Sequence, residues 1–305
     1  MNRAAPRSID AYLKQLREEL SDADPALIQD ALYDSEEYLR AEIAAHPGKS
    51  EADVLELISS TYGAPDEVAA AYRETEAKVT AALKTPRPVV AGGGSLRRFF
   101  AVYSDPRAYA SLFFMFLALV LGIFHFVFAM VGVSLSLGLA VLIIGVPFFL
   151  VFIGLTRVIA LAEGRLLEAV SGERMPRRPR HPGPSQSFWA RIGEMLRDAR
   201  TWTTLAYFVL ALPLGIAWFT LAVTGIAAGL SLTFAPLFEV ARRLGWLHVT
   251  GGVTVDFSPA WLGSAFLLPV GIVLGVLITT ALLHLARAIG RMHARFAKHM
   301  LVMGY

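Results

Sequence analysis

The 305-residue sequence predicts an all-α membrane protein, a small soluble helical domain plus a polytopic membrane region of four transmembrane helices in two repeated hairpins. Three observations carry this reading. Hydrophobic residues make up 55% of the chain and charged residues only 17%, against about 25% charged in a soluble protein. Four apolar runs, near 109–131, 137–156, 205–227 and 263–286, contain no Asp, Glu, Lys or Arg and reach the roughly 20 residues that cross a bilayer. Residues 1–84 hold 9 Lys+Arg against 17 Asp+Glu, a balance of −8, while the other 221 residues hold 19 against 8, a balance of +11. An acidic domain therefore precedes a basic one.

The acidic domain, 1–84, is punctuated as three or four amphipathic helices. Ser8 caps a first helix whose Ile9, Leu13, Leu16 and Leu20 recur at three- to four-residue spacing. Asp24 before Pro25 is an N-cap with proline at the first helical position, opening a helix to about Ala45 with Ile28, Leu32, Tyr33, Leu39 and Ile43 as its apolar positions. Pro47-Gly48 breaks that pattern. Ser50 and Asp53 form a capping box for a third helix burying Val54, Leu57 and Ile58. Gly63 suits the left-handed position that ends such a helix, and Ala64-Pro65-Asp66-Glu67 opens a last helix carrying Val68, Ala69 and Tyr72. Helices this short must pack on one another to be stable.

Residues 85–104 read as a flexible and interfacial linker. Pro86, Pro88 and Gly92-Gly93-Gly94-Ser95 make a tether, and Arg97 and Arg98 with Phe99, Phe100 and Tyr103 suit a membrane interface. The four-helix region fills 105–305, and its basic residues set the topology. Residues 85–108 carry Arg87, Arg97, Arg98 and Arg107 against Asp105 alone. The segment 157–204 carries nine Arg against five acids, and 287–305 carries Arg287, Arg291, Arg295 and Lys298 with no acid. Four spans put all three segments on one side, so both termini are expected in the cytoplasm of a multi-pass protein of the bacterial plasma (inner) membrane. No signal-peptide pattern opens the chain, and the first span is expected to act as an uncleaved anchor.

Shifting 105–137 by 93 residues lays thirteen of 33 positions on identical residues. Asp105, Arg107, Ala118, Gly122 and Gly132 meet Asp198, Arg200, Ala211, Gly215 and Gly225. At a shift of 130, Gly145, Arg157 and Arg165 meet Gly275, Arg287 and Arg295. The region therefore reads as two hairpin repeats, 105–170 and 198–300, and the difference in shift places an extracytoplasmic insert at 233–262.

Two resemblances follow from these residues. A leading Y-L-x-x-L, the acidic D-S-E-E-Y-L and the closing Y-G-A-P-D-E-V-A-A-A-Y of 62–72 resemble the HAAS domain over about 8–76. That resemblance implies a regulatory signalling module without catalytic residues, often associated with PadR-like transcription regulators. D-P-R-A-Y-A-S-L at 105–112, A-L-P-L-G-I-A-W-F at 211–219 and R-x7-R at 157–165 and 287–295 resemble the sensor transmembrane domain of bacterial membrane proteins, some of them attached to histidine kinases, over about 98–302. No kinase module is expected after it, and output is expected through the front domain or a separate protein.

Asp30, Asp34 and Glu37 share a helix face and form a candidate partner-docking face, or a solvated face that keeps the domain off anionic lipid. His125 is an ionisable residue in mid-span, a functional candidate by default, although a neutral His can simply bond a neighbouring helix. Trp246, His248, Asp256 and Trp261 in the insert are the sensing candidates, or interfacial anchors. Arg174, Arg177, Arg178 and Arg180 read as a juxtamembrane segment for anionic lipid. Gly271 and Gly275 have the spacing of a close helix contact. The lack of Cys excludes disulfides and Cys-ligated zinc, and no G-x-S-x-G, H-E-x-x-H or P-loop occurs. No catalytic, cofactor-binding or metal residues are assigned, and no enzyme is expected. The expected function is sensory or regulatory: relaying an envelope or lipid signal to a cytoplasmic partner. The alternative is a transport component or an accessory subunit of a transporter. Expected partners are membrane lipids and a cytoplasmic protein, with a PadR-like regulator as one candidate and a homo-oligomer as another, but no directly bound nucleic acid.

Overall fold

A computed structural model describes residues 5–83, 94–140, 145–178, 193, 195–244 and 267–302. Every regular element among them is helical: α1 (Ile9–Glu19), α2 (Pro25–Ala45), α3 (Glu51–Ser59), α4 (Pro65–Leu83), α5 (Ser95–Phe100) with a following 3-10 turn (Ala101–Ser104), α6 (Pro106–Leu139), α7 (Gly145–Ser171), α8 (Ala199–Arg243) and α9 (Leu267–Leu301).

The acidic domain is four helices, and its caps act as the sequence predicts. Ser8 accepts from Ala11 N–H and Asp24 from Ala26 N–H, and Ser50 and Asp53 make both bonds of a capping box. Ser50 also holds the Asp53 carboxyl below its ordinary value. Gly63 has φ 105°, a left-handed conformation that glycine takes without strain. One helical face differs from expectation: Leu57 is 45% exposed and Leu55 is buried with Val54 and Ile58, because α3 ends at Ser59 and presents only one narrow stripe. The core joins Ile9, Leu13, Leu16 and Leu20 of α1 to Leu32, Leu39, Val54, Ile58, Val68 and Ala69. Tyr12 donates from its hydroxyl to the Gly63 carbonyl at 3.0 Å, and Tyr38 stacks on Tyr62.

Helices α6 to α9 are long and apolar enough to cross a membrane. They hold 34, 27, 45 and 35 residues, more than the apolar runs that mark them; the second run starts later than expected, since 137–139 belong to α6 and α7 opens at Gly145. At about 1.5 Å per residue, α8 is far longer than a hydrocarbon core of about 30 Å. It runs through Pro213 and Pro236 to Arg243, well into the stretch read as the insert; the remainder of that insert lies outside the described residues, as do most of the tether residues. Side chains such as Phe113, Val120, Val158 and Phe238 are more than 60% exposed, as apolar positions that face lipid are.

The chain forms two compact units. One takes in Pro86–Val127 and Val209–Met292. Here small residues bring backbones together, as they do where helices associate in lipid. A Cβ at Gly122 would strike the Ala211 carbonyl, and one at Gly215 the Ala118 carbonyl. Gly229 faces Thr279 while Gly275 faces Thr233; both threonines donate one turn back to the glycine carbonyls of their own helices, at 2.7 and 2.9 Å. Met115, Ala222, Ala286 and Ile289 form a buried cluster edged by Phe116 and Trp218. At the basic end Asp105 accepts the Arg107 N–H at 3.0 Å and pairs with Arg287 at 2.9 Å.

The other unit takes in Met1–Thr85, Phe128–Phe208 and His293–Tyr305. It joins α1–α4 to α7 and to the adjoining ends of α6, α8 and α9. Gly132 gives room to the Phe152 ring, which lies 5.3 Å from Phe128. Asp198 accepts the Arg200 N–H at 3.1 Å and lies 3.8 Å from Arg157.

Candidate functional site

The end of α7 builds the basic half of the site. Gly172 takes φ 73° and its N–H donates to the Glu168 carbonyl at 2.9 Å, a glycine stop to the helix. The chain then doubles back along α7. Met175 is fully buried against Gly164, its N–H donates to Glu168 Oε2 at 3.2 Å, and Arg165 donates to the Arg177 carbonyl at 3.3 Å. This reversal fixes the backbone of 173–178 and turns Arg174, Arg177 and Arg178 towards α2.

The first turns of α2 supply the acidic half. Asp24 caps the helix with one carboxylate oxygen, at 2.9 Å from Ala26 N, and accepts from Lys298 Nζ at 2.6 Å with the other. Gln29 donates to the Arg178 carbonyl at 2.6 Å and accepts from Arg200 at 2.7 Å. Asp30 is 6% exposed; one oxygen accepts the backbone N–H groups of Arg177 and Arg178 at 2.7 Å each, and the other accepts from Arg174 at 2.8 Å. One turn later Asp34 lies 2.7 Å from Arg178 Nε. From α4, Glu76 accepts from Arg174 Nε at 3.1 Å.

Burial pushes the Asp30 carboxyl above its ordinary value, and the donors from Arg178, Arg177 and Arg174 pull it back. Burial also opposes the charge on Arg174, but Glu76 and Asp30 outweigh it and raise the guanidinium above its ordinary value. A charge removed from water costs several kcal/mol unless it is paired and hydrogen-bonded. Arg174 meets that condition, with Asp30 at 2.8 Å, Glu76 at 3.1 Å and Glu168 at 3.7 Å. One face of α2 thus binds the chain leaving α7, the start of α8 through Arg200, and the end of α9 through Lys298. Arg200 further ties α8 to α9 by donating to the Leu301 carbonyl at 2.6 Å.

Two sequence expectations change here. Asp30 does not lie on a solvated face, because Arg174 and the 177–178 backbone cover it. The Arg174 side chain, at 9% exposure, faces carboxylates rather than lipid. Asp30 and Asp34 come together in the site, whereas Glu37 is exposed. His125 is 2% exposed in α6. Trp246, His248, Asp256 and Trp261 lie outside the described residues, and so does Arg180.

A second polar cluster was missed by the sequence reading. The Tyr207 hydroxyl donates to Glu163 at 3.0 Å and lies 3.1 Å from His293 Nε2, joining α7, α8 and α9. All three side chains are buried. A hydroxyl has one proton to give, so Tyr207 can donate to only one of these two neighbours at a time. Drawing the spans to stop at 156 and 286 left Glu163 and His293 outside them; the signal was the helical periodicity that continues past both points. Among the described residues no three His, Asp or Glu side chains come together as a metal site would need.

No curated protein and no solved structure matches the chain. The family model described as Putative sensor matches residues 114–301, from the first span to the last residue of α9 and thus more than half of the sequence, and on that match the chain belongs to the Putative sensor family.

Proposed function

We propose that this protein is a bacterial inner-membrane sensor whose four spans read an envelope or lipid signal and whose acidic N-terminal domain passes it to a cytoplasmic protein. One observation carries the reading: α2 and its cap Asp24 are hydrogen-bonded to the chain leaving one span and to the ends of two others, through Arg178, Arg200 and Lys298. A displacement of any of those ends must strain contacts at the front domain, which is the physical requirement for a relay. Both termini lie in the cytoplasm in this reading, and no chemical step is needed. The likeness of 8–76 to the HAAS module supports a regulatory output, with a PadR-like regulator as the candidate partner. The two hairpins are a duplicated pair, supported by the matched contacts Gly122 to Ala211 and Gly215 to Ala118.

The test is crosslinking of the full-length chain in its own membranes, followed by its isolation. A specific cytoplasmic protein should be captured, and capture should fall when Glu37, on the exposed part of the acidic helix, is changed to Lys. Recovery of no such protein would remove the relay. Topology is tested separately in this Cys-free chain with Leu196→Cys and Thr250→Cys. An impermeant thiol reagent on intact cells should label the second and spare the first; equal labelling would refute the arrangement.

A further inference from the structure

We propose that the segment Arg174–Arg178 is a shared ligand, held by the acidic face of α2 in the described state and taken by anionic lipid headgroups when the front domain lets go, so that membrane surface charge sets the position of that domain. This rests on the reading of the front domain as the output and names what regulates it.

Position comes first. The segment doubles back along α7 to Gly164 and Arg165, eight residues past Arg157 where the apolar run has ended and so about 12 Å from it at 1.5 Å per residue, which puts its guanidinium groups near headgroup depth. Arg177 and Arg178 are 40% and 51% exposed even while paired, so a headgroup phosphate can reach them before the contact has opened. Chemistry comes second. Asp30 and Asp34 offer this segment carboxylate oxygens at 2.7 to 2.8 Å, and a phosphate offers the same charge-assisted acceptors in the same geometry. The exchange replaces like with like.

Charge decides which way a lipid change pushes. The front domain carries a balance of −8 and is repelled by the surface that attracts the arginines, so more anionic lipid both competes for the ligand and drives away its present holder. Release also leaves the domain intact, because its apolar core is drawn from α1 to α4 alone. The bonds that Asp24, Gln29, Asp30 and Asp34 make to this segment, Arg200 and Lys298 are hydrogen bonds and ion pairs, which a charged competitor can replace.

The experiment is a distance measurement between two spin labels on the full-length, otherwise Cys-free chain, at Ala44→Cys in α2 and Ala169→Cys in α7, both exposed positions. The protein is placed in nanodiscs of phosphatidylcholine alone or phosphatidylcholine mixed with phosphatidylglycerol. One short distance is expected in the neutral lipid. In the mixture a second, longer distance should appear, its population rising about fivefold for each arginine that reaches the headgroups. Inorganic phosphate at matched ionic strength in the neutral discs separates free anion from surface, and should leave the short distance in place. Asp34→Arg should open the contact in both lipids, and Asp34→Arg with Arg178→Asp should close it again, which an unfolded variant cannot do. Identical distances in both lipids would overturn the proposal, as would opening by free phosphate to the same extent. If distances respond to lipid but no partner is captured by crosslinking, the switch stands and the relay falls; capture without a lipid response reverses that outcome.

Discussion

At the start of α6, Asp105 accepts the Arg107 N–H at 3.0 Å and pairs with Arg287 at 2.9 Å; at the start of α8, Asp198 accepts the Arg200 N–H at 3.1 Å but lies 3.8 Å from Arg157. The two aspartates are matched by the 93-residue shift, and the two arginines by the 130-residue shift. Each carboxylate therefore caps the entry helix of its own hairpin and faces the exit helix of the other. The difference lies in what the neighbouring arginine does. Arg200 reaches out to Gln29 and to the Leu301 carbonyl, so the second junction is looser in its own ion pair and carries the front domain instead. The same short pattern closes the first junction and attaches the front domain at the second.

The largest effect should come from removing what the two hairpins share. Gly122→Val and Gly215→Val each drive a side chain into a backbone carbonyl, and overpacking of this kind costs about 1–3 kcal/mol or more. Both variants should lower the melting temperature in detergent by similar amounts, because the two contacts are reciprocal. Gly154→Ala, with nothing near its Cβ position, should leave it unchanged. A large loss for one glycine and none for its counterpart would break the comparison.

Much of this was legible in the residues. Ser8, Asp24-Pro25, Ser50 with Asp53, and Gly63 are local signals, each read from a few neighbours, and each caps or turns the chain as expected. Four spans were legible because burial in lipid is a bulk property of some 20 residues. Their ends were not, since hydropathy marks where a helix is apolar and not where it stops. Helix α7 continues as an amphipathic helix through Glu163 and Glu168 to Ser171, and that extension supplies Glu168 to one polar cluster and Glu163 to the other. The front-domain contact was illegible for a different reason: Asp30 and Arg174 are 144 residues apart. The opposite charge of the two regions hinted at attraction, but charge balance cannot choose between a carboxylate and a lipid phosphate as the partner of an arginine.

A second, smaller effect should sharpen the contrast by detaching only the second junction. Asp30→Ala leaves Arg174 with Glu76 and Glu168 but takes the acceptor from the Arg177 and Arg178 N–H groups. Breaking a buried pair outright costs about 3–5 kcal/mol; the remaining carboxylates should bring the loss of attachment to about 2 kcal/mol. Limited trypsin digestion of the full-length protein should then cut after Arg177 at least tenfold faster, the bond after Arg178 being closed to trypsin by Pro179. Amide exchange at the start of α6, where Asp105 and Arg287 meet, should not change. Faster exchange there would show that the junctions are not separable.

The smallest and most discriminating effect is a pair of isosteric changes. Asn keeps the cap at a helix start, since its side-chain oxygen can still accept the N–H two residues on, but it removes the negative charge. Asp105→Asn therefore loses an ion pair at 2.9 Å while Asp198→Asn loses one at 3.8 Å. Both arginines are partly exposed, at 36% and 49%, so water screens both pairs and the cost should be about 1 kcal/mol for the first and a few tenths for the second. In a chain of this size that is a drop of about 3 °C against less than about 1 °C, read by thermal unfolding in detergent at low salt. Added salt should shrink the larger drop towards the smaller one, because screening weakens the closer pair most in absolute terms. Equal shifts would mean that Asp198 holds Arg157 as firmly as Asp105 holds Arg287, and that the two junctions do not differ in their ion pairs.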